Sequence, residues 1–249
     1  MTDEQHGADP VAVAQVFVDL AATLVGPYAV PDLAQRLVDG CVEVLDVWAA
    51  GLLLADPGST PKVLAASTHQ AELLELVQVR SGQGPCLEAM RRDELVVVDD
   101  VPARQEDWPD WVAGAQALGI DRAYGIPLHH EGETIGALNL FRRDAGPLGA
   151  GGLAVARSLA DMATLAILQH RAMDEATTVA VQLQRALDSR VVIEQAKGVL
   201  AEREGVSVGD AFARLRAQAR AGSRPISAVA HDVVAGAAAP STSAGADGA

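Results

Sequence analysis

Aromatic residues are scarce in this chain, with three Phe, two Tyr and three Trp among 249 residues. The 49% apolar content is therefore carried mainly by Ala, Val and Leu, small side chains that suit closely packed helices. No run of 18 or more apolar residues occurs, and the opening MTDEQHGADP is acidic and polar. Neither a membrane-spanning helix nor a secretory leader is expected, so the chain is expected in the cytoplasm, with no membrane partner. Only two cysteines are present, Cys41 and Cys86; they could pair only with each other, and a reducing compartment argues against that bridge. Positive charge is also in deficit, with a net charge of −14. Taken alone, that balance speaks against a nucleic-acid partner, because phosphate binding relies on Lys and Arg displacing counterions.

What is there is unevenly placed. Residues 1–184 hold 11 Lys/Arg against 26 Asp/Glu, whereas residues 185–234 hold 8 against 6, so an acidic body carries a mildly basic C-terminal module. At roughly 100–200 residues per domain, the length suits one medium domain and one small one. Residues 11–47 show two helical patterns around the Gly26-Pro27 break. The apolar runs AAGLLLADP and PKVLAAST, joined through DPGSTP, predict a hairpin. A short helix HQAELLELVQ follows, then the loop RSGQGPCLEAMRR with a helical turn opening at Cys86, a strand in ELVVVDDV, and a helix from Glu106 to Leu118. DRAYGIPLHHEGETIGALNLFRR then divides into two strands about the turn HEGE. Strands interleaved with helices predict an α/β or α+β sheet domain, of which α+β is the expected class.

From Leu153 the texture changes. No Gly occurs between Gly152 and Gly198 and no Pro between Pro147 and Pro225, so one helix can run from Leu153 to about Leu187. Leu159, Ala163, Ala166, His170, Met173, Thr177, Ala180, Gln184, Leu187 and Val191 alternate in steps of four and three, the register of a parallel coiled-coil dimer. The same pattern also fits a single helix lying along its own domain. Beyond Val234, AGAAAPSTSAGADGA is low-complexity and expected to be disordered. The expected organisation is a flexible N-terminus 1–10, a sheet domain 11–152, a connecting helix 153–187, a three-helix module 185–234 and a disordered tail 235–249.

GIPLHHEGETIGALNLF downstream of SGQGPC resembles the GAF domain, a small-molecule sensor fold with a central antiparallel sheet, over about residues 11–170. The resemblance implies a sensor whose ligand and cofactor are unknown, and Cys86 and Tyr124 are its candidate ligand-lining residues. Cys86 follows a Gly-rich loop near a helix N-terminus, where the dipole lowers a thiol pKa, or it is a small buried hydrophobe beside a turn. His129 and His130 are adjacent on a strand, point to opposite faces and cannot chelate one metal together. SGQGP lacks the Lys-Ser/Thr of a phosphate loop and reads as a turn.

Residues 185–234 read as three helices. The first ends at Gly205 in a left-handed cap. Ser207 caps the second, with Asp210 three residues on, and the third follows Pro225. Their apolar stripes, Val192/Ala196/Val199/Leu200, Ala211/Phe212/Leu215/Ala219 and Ile226/Val229/Ala230/Val233, predict a bundle. SRVVIEQAKGVLAEREGVSVGDAFARLRAQAR followed by ISAVAHDVV resembles the ANTAR domain, an RNA-binding antitermination module, over essentially its full length. The resemblance implies that two such modules, brought together by dimerisation, hold a pair of stem-loops in a nascent leader RNA and so prevent the terminator hairpin. Ala201, where methionine is usual, and SRP before the third helix depart from the pattern. Arg190, Lys197, Arg203, Arg216 and Arg220 are the candidate RNA-binding cations, either phosphate and base contacts or solvated residues keeping an Ala-rich bundle soluble. Gly198 costs about 1 kcal/mol relative to alanine inside a helix, which points to close approach of another backbone, protein or RNA.

The reading is a non-enzymatic GAF-ANTAR regulator. Two rivals are a thiol enzyme reducing methionine sulfoxide or a peroxide through Cys86, and a DNA-binding regulator. The second is weakened by a third helix without Lys or Arg.

Overall fold

The computed structural model describes residues 9–24, 28–55, 58–143 and 146–238. The Gly26-Pro27 break, Asp56 and Pro57 of the hairpin turn, most of the N-terminal segment and the tail beyond residue 238 lie outside the described residues. The chain divides into two compact units, residues 1–171 and 172–249.

The first unit is built on β1 (Ala49–Leu54), β2 (Lys62–Ala66), β3 (Val96–Val98), β4 (Arg122–His130) and β5 (Glu133–Arg142), all pairs antiparallel, in the order β2-β1-β5-β4-β3. Strand alternation sorts its side chains onto two apolar faces. Leu52, Tyr124, Ile126, Leu138 and Leu140 face a layer formed by α1 (Pro10–Thr23), α2 (Val30–Val44) and the start of α6 (Ala150–Glu204). Ala49, Leu53, Ala123, Ala137 and Phe141 face α3 (His69–Ser81), α4 (Pro85–Arg92) and α5 (Pro109–Ala117). Between Leu128 and His129 the register with β5 steps from Gly136 to Thr134, leaving Ile135 as a bulge that turns it to the α1/α2 side.

Local chemistry explains the helix ends. Asp9 caps α1 by accepting from Val11 N–H at 2.9 Å, and Thr68 caps α3 by accepting from Ala71 N–H at 3.1 Å. Gly82 closes α3 in the left-handed conformation. The predicted strand ELVVVDDV shortens to Val96–Val98, and the helix predicted from Glu106 starts at Pro109, whose ring suits a first turn.

In the second unit the end of α6 packs with α7 (Val208–Ala221) and α8 (Ile226–Ala238). Its core is Val192, Ala196, Leu200, Ala211, Leu215, Ala219, Val229 and Ala230. Half of these are alanines, so each contributes less than the roughly 1.5–3 kcal/mol of a large buried side chain and the bundle has little stability to spare. Ser207 accepts from Asp210 N–H at 3.1 Å while its hydroxyl donates to the Asp210 carboxylate at 2.7 Å. Gly205 takes the expected left-handed φ of 62°. Two expectations are corrected. Val199 and Phe212 lie outside this core, where Ile193 and Ala201 pack instead, and α8 continues through residues 235–238, which the sequence had placed in the disordered tail.

The coiled-coil register is also corrected. Leu159, Ala163 and Ala166 are buried in the first unit's own core, and the His170 ring packs 5.1 Å from Tyr28, so these four positions serve the single-helix reading. A window of α6 is long and apolar enough to cross a membrane, with a mean hydropathy of 1.4, and 39% of that window is buried within the protein.

Candidate nucleic-acid interface and sensor core

Phe212 is the only aromatic residue beyond Phe141, and the bundle leaves it half-buried at the edge of its core. Ala211 takes the core position at the start of α7, and the 100° step to the next residue carries Phe212 sideways to meet α6. There Lys197 Nζ stands 5.4 Å, and the Arg216 guanidinium carbon 4.7 Å, from the ring centroid. Both distances are within reach of a cation–π attraction, which is favourable for Arg on an aromatic face.

The predicted cations divide into two groups. Lys197 Nζ is also held by Glu194, at 2.8 and 2.7 Å to its two oxygens, and Arg203 Nη2 donates to the Gly236 carbonyl at 2.7 Å, supporting α8. Arg190, Arg216 and Arg220 are exposed and have no carboxylate partner among the described residues. Arg220 Nε lies 3.4 Å from the Arg216 carbonyl. The structure therefore brings Lys197, Arg216 and Arg220 to one side of the α6/α7 pair and gives Arg203 a bond within the bundle. Gly198 is exposed, and a Cβ there would meet nothing within 4 Å outside its own stretch of helix backbone. Packing within the bundle does not demand this glycine.

In the first unit, Cys86 and Tyr124 belong to opposite faces of the sheet and do not form one site. Tyr124 is buried, and its hydroxyl accepts from Leu148 N–H at 2.7 Å. Cys86 does lie at the start of α4, but it is buried; burial, then the charge of Glu75, push its thiol well above the usual range, and its Sγ donates to the Ala137 carbonyl at 3.5 Å. Desolvation thus outweighs the helix dipole. Burial also pushes the Cys41 thiol up, to about 12. An open cleft of about 540 Å³ runs between Pro61, Leu87, Met90 and Arg91, and neither Cys86 nor Tyr124 lines it. His129 binds the Asp93 carboxylate at 2.6 Å, and no cluster of three metal-ligating side chains occurs among the described residues.

Beside Cys86 lies a polar group that sequence reading missed. Glu75 Oε1 accepts from Asn139 Nδ2 and Oε2 from Gln78 Nε2, both at 2.7 Å, while Gln78 Oε1 accepts from Cys86 N–H at 3.1 Å. Two glycines make room for this cluster: a Cβ on Gly51 would stand 2.3 Å from Glu75 Oε1, and one on Gly84, whose φ is 129°, 2.3 Å from Gln78 Oε1. Burial pushes the Glu75 carboxyl up to about 8 against the lowering effect of its two hydrogen bonds.

The GAF domain family model matches residues 29–168, and the ANTAR domain model matches residues 181–234. Among solved structures, the GAF domain of an Acinetobacter phosphoenolpyruvate-protein phosphotransferase is similar, with a TM-score of 0.51 and 11% identity over 69% of this chain and 97% of that one. The GAF domain from the corresponding Coxiella burnetii protein has a TM-score of 0.50 and 17% identity over 66% of this chain and 98% of that one. At these identities the likeness shows the fold alone. No curated protein matches the chain.

Proposed function

The chain belongs to the GAF-domain family and carries an ANTAR domain behind its GAF domain, and from that premise we propose that this signal-regulated RNA-binding regulator is a transcription antiterminator acting in the cytoplasm. Two ANTAR modules of a homodimer hold paired stem-loops of a nascent leader RNA, and polymerase reads through. The observation that carries this reading is a module with its own apolar core, matching the ANTAR model over 181–234, that presents Arg190, Lys197, Arg216 and Arg220 outside that core. Signal binding in the GAF domain shifts the population of dimer arrangements and so the spacing of the two modules. GAF and ANTAR domains are regulatory rather than catalytic, and the buried Cys86 thiol favours that reading over a thiol enzyme.

The test is binding of a dual stem-loop leader RNA by the full chain and by the Lys197→Ala, Arg220→Ala double variant, together with read-through of a leader terminator in vitro. The double variant is expected to bind more weakly, and the slope of log affinity against log salt to become shallower. Equal affinity would remove those residues from the interface. Unchanged termination in the presence of the native chain would overturn antitermination.

A further inference from the structure

We propose that Phe212 and Arg216 form a stacking platform for one unpaired nucleobase, with Lys197 and Gly198 at its margin. The inference rests on the RNA-binding reading above and names the chemistry of one contact within it.

Three observations converge on the base rather than the phosphate. The bundle core is made of Val, Leu and Ala, yet its one aromatic is left half-buried at the edge. A ring in that position serves packing poorly, since burying it fully would contribute more to stability than any alanine in the core. The ring also holds the Arg216 guanidinium at 4.7 Å from its centroid. Arg216 is exposed and has no carboxylate partner among the described residues, so the outer side of a planar cation is left uncovered. Planar guanidinium groups and aromatic rings are the surfaces on which unstacked bases settle.

Charge makes the same choice. Lys197, the nearest other cation, is already paired with Glu194 at 2.7 Å. Glu194 and Glu202 lie one turn either side of Gly198 on α6, so a phosphate approaching the glycine meets the Glu202 carboxylate and a Lys197 ammonium already engaged by Glu194. A neutral base does not incur that repulsion, and its exocyclic amine can donate to a carboxylate. Gly198 leaves empty space beside Lys197, as required for a flat group to pass close to the helix.

The experiment uses the full chain and a stem-loop RNA carrying 2-aminopurine at single loop positions. Stacking quenches this base, so native protein is expected to quench one loop position and to bind the same RNA with its loop closed into duplex more weakly. Arg216→Lys keeps the charge and loses the plane, and is expected to lose the quench and about tenfold in affinity. Phe212→Leu keeps an apolar side chain and loses the ring, and is expected to behave alike. Thermal unfolding of each variant reports whether the bundle is intact, and Arg216→Lys, being exposed, leaves it so. Native-like quenching and affinity in Arg216→Lys would overturn the platform while leaving RNA binding standing. Failure of the native chain to bind any stem-loop RNA would overturn both.

Discussion

Asn139 on β5 donates from Nδ2 to Oε1 of Glu75 on α3 at 2.7 Å, and neither side chain is reached by solvent. Folding raises the Glu75 pKa from its ordinary carboxylate range to about 8, because burial penalises the charged form more than two hydrogen bonds favour it. An acid with a raised pKa holds its proton more tightly in the folded state. Its contribution to stability is therefore complete below the unfolded value near 4.3 and is lost as pH rises through about 8. Glu75→Gln removes that dependence. Urea unfolding of both proteins from pH 5 to pH 9 is expected to show the variant at a disadvantage in acid that shrinks, and then reverses, by up to about 1.4 kcal/mol per pH unit crossed. A constant difference across the range would show that the carboxyl does not titrate between the two states.

Burial of the two cysteines predicts inert thiols. Cys86 and Cys41 are both buried, and burial pushes both thiols up. Thiolate is the reactive species, so neither should react with a disulfide reagent at neutral pH while the chain is folded. The expected result is no labelling in buffer and two equivalents on denaturation. Rapid labelling of one thiol in the native state, lost in Cys86→Ser, would revive the thiol-enzyme reading.

Much of this fold was legible as periodicity. The strand pair about HEGE emerges as β4 and β5, and the capping pattern at Ser207 and Asp210 emerges with both groups bonded. What the sequence hid has a common cause, since a pattern reports that a face is apolar and not what covers it. Leu159, Ala163 and Ala166 continue the heptad register perfectly well, but their own sheet domain occupies that face. Phe212 reads as one more core residue until the tighter Ala211 takes the position facing the core. Glu75 in AELLELV looks like a solvated helix residue, and only the sheet packed above it shows otherwise. The scarcity of aromatics was the signal that could have singled out Phe212.

Gly198 forgoes a stability gain, which is accounted for if something outside the module needs the space. A methyl group there meets nothing within 4 Å outside its own stretch of helix, and the backbone already has helical geometry. Gly198→Ala is expected to stabilise the bundle by about 1 kcal/mol, read as a higher midpoint in chemical unfolding. For a core half made of alanine that is a large increment. The accompanying RNA measurement is expected to show weaker binding by the more stable protein, and Gly198→Leu a greater loss. Loss of stability in Gly198→Ala would mean that the glycine serves the fold.

The exposed part of α6 supplies the last prediction. Residues 172–188 are exposed throughout, and 176–184, ATTVAVQLQ, carry no charge. Thr177, Thr178, Val179 and Val181 are β-branched and weak helix formers, and an uncovered helix of such residues is marginal in water. A second copy of the chain covers it in the proposed dimer. With Leu159 through His170 engaged in their own domain, the seam of greatest apolar content in steps of three and four is Met173, Ala176, Ala180, Leu183 and Leu187. It shares Met173, Ala180 and Leu187 with the register read from sequence and replaces Thr177 and Gln184 by Ala176 and Leu183. Met173, Leu183 and Leu187 are each at least half exposed, at 59%, 60% and 50%. Sedimentation of the full chain is expected to give a dimer, Leu183→Glu with Leu187→Glu a monomer, and Thr177→Lys with Gln184→Lys a dimer still, since those positions flank the seam. A native chain that sediments as a monomer at every concentration, with and without RNA, would overturn the dimer. Dissociation by the flanking pair alone would return the seam to the register read from sequence.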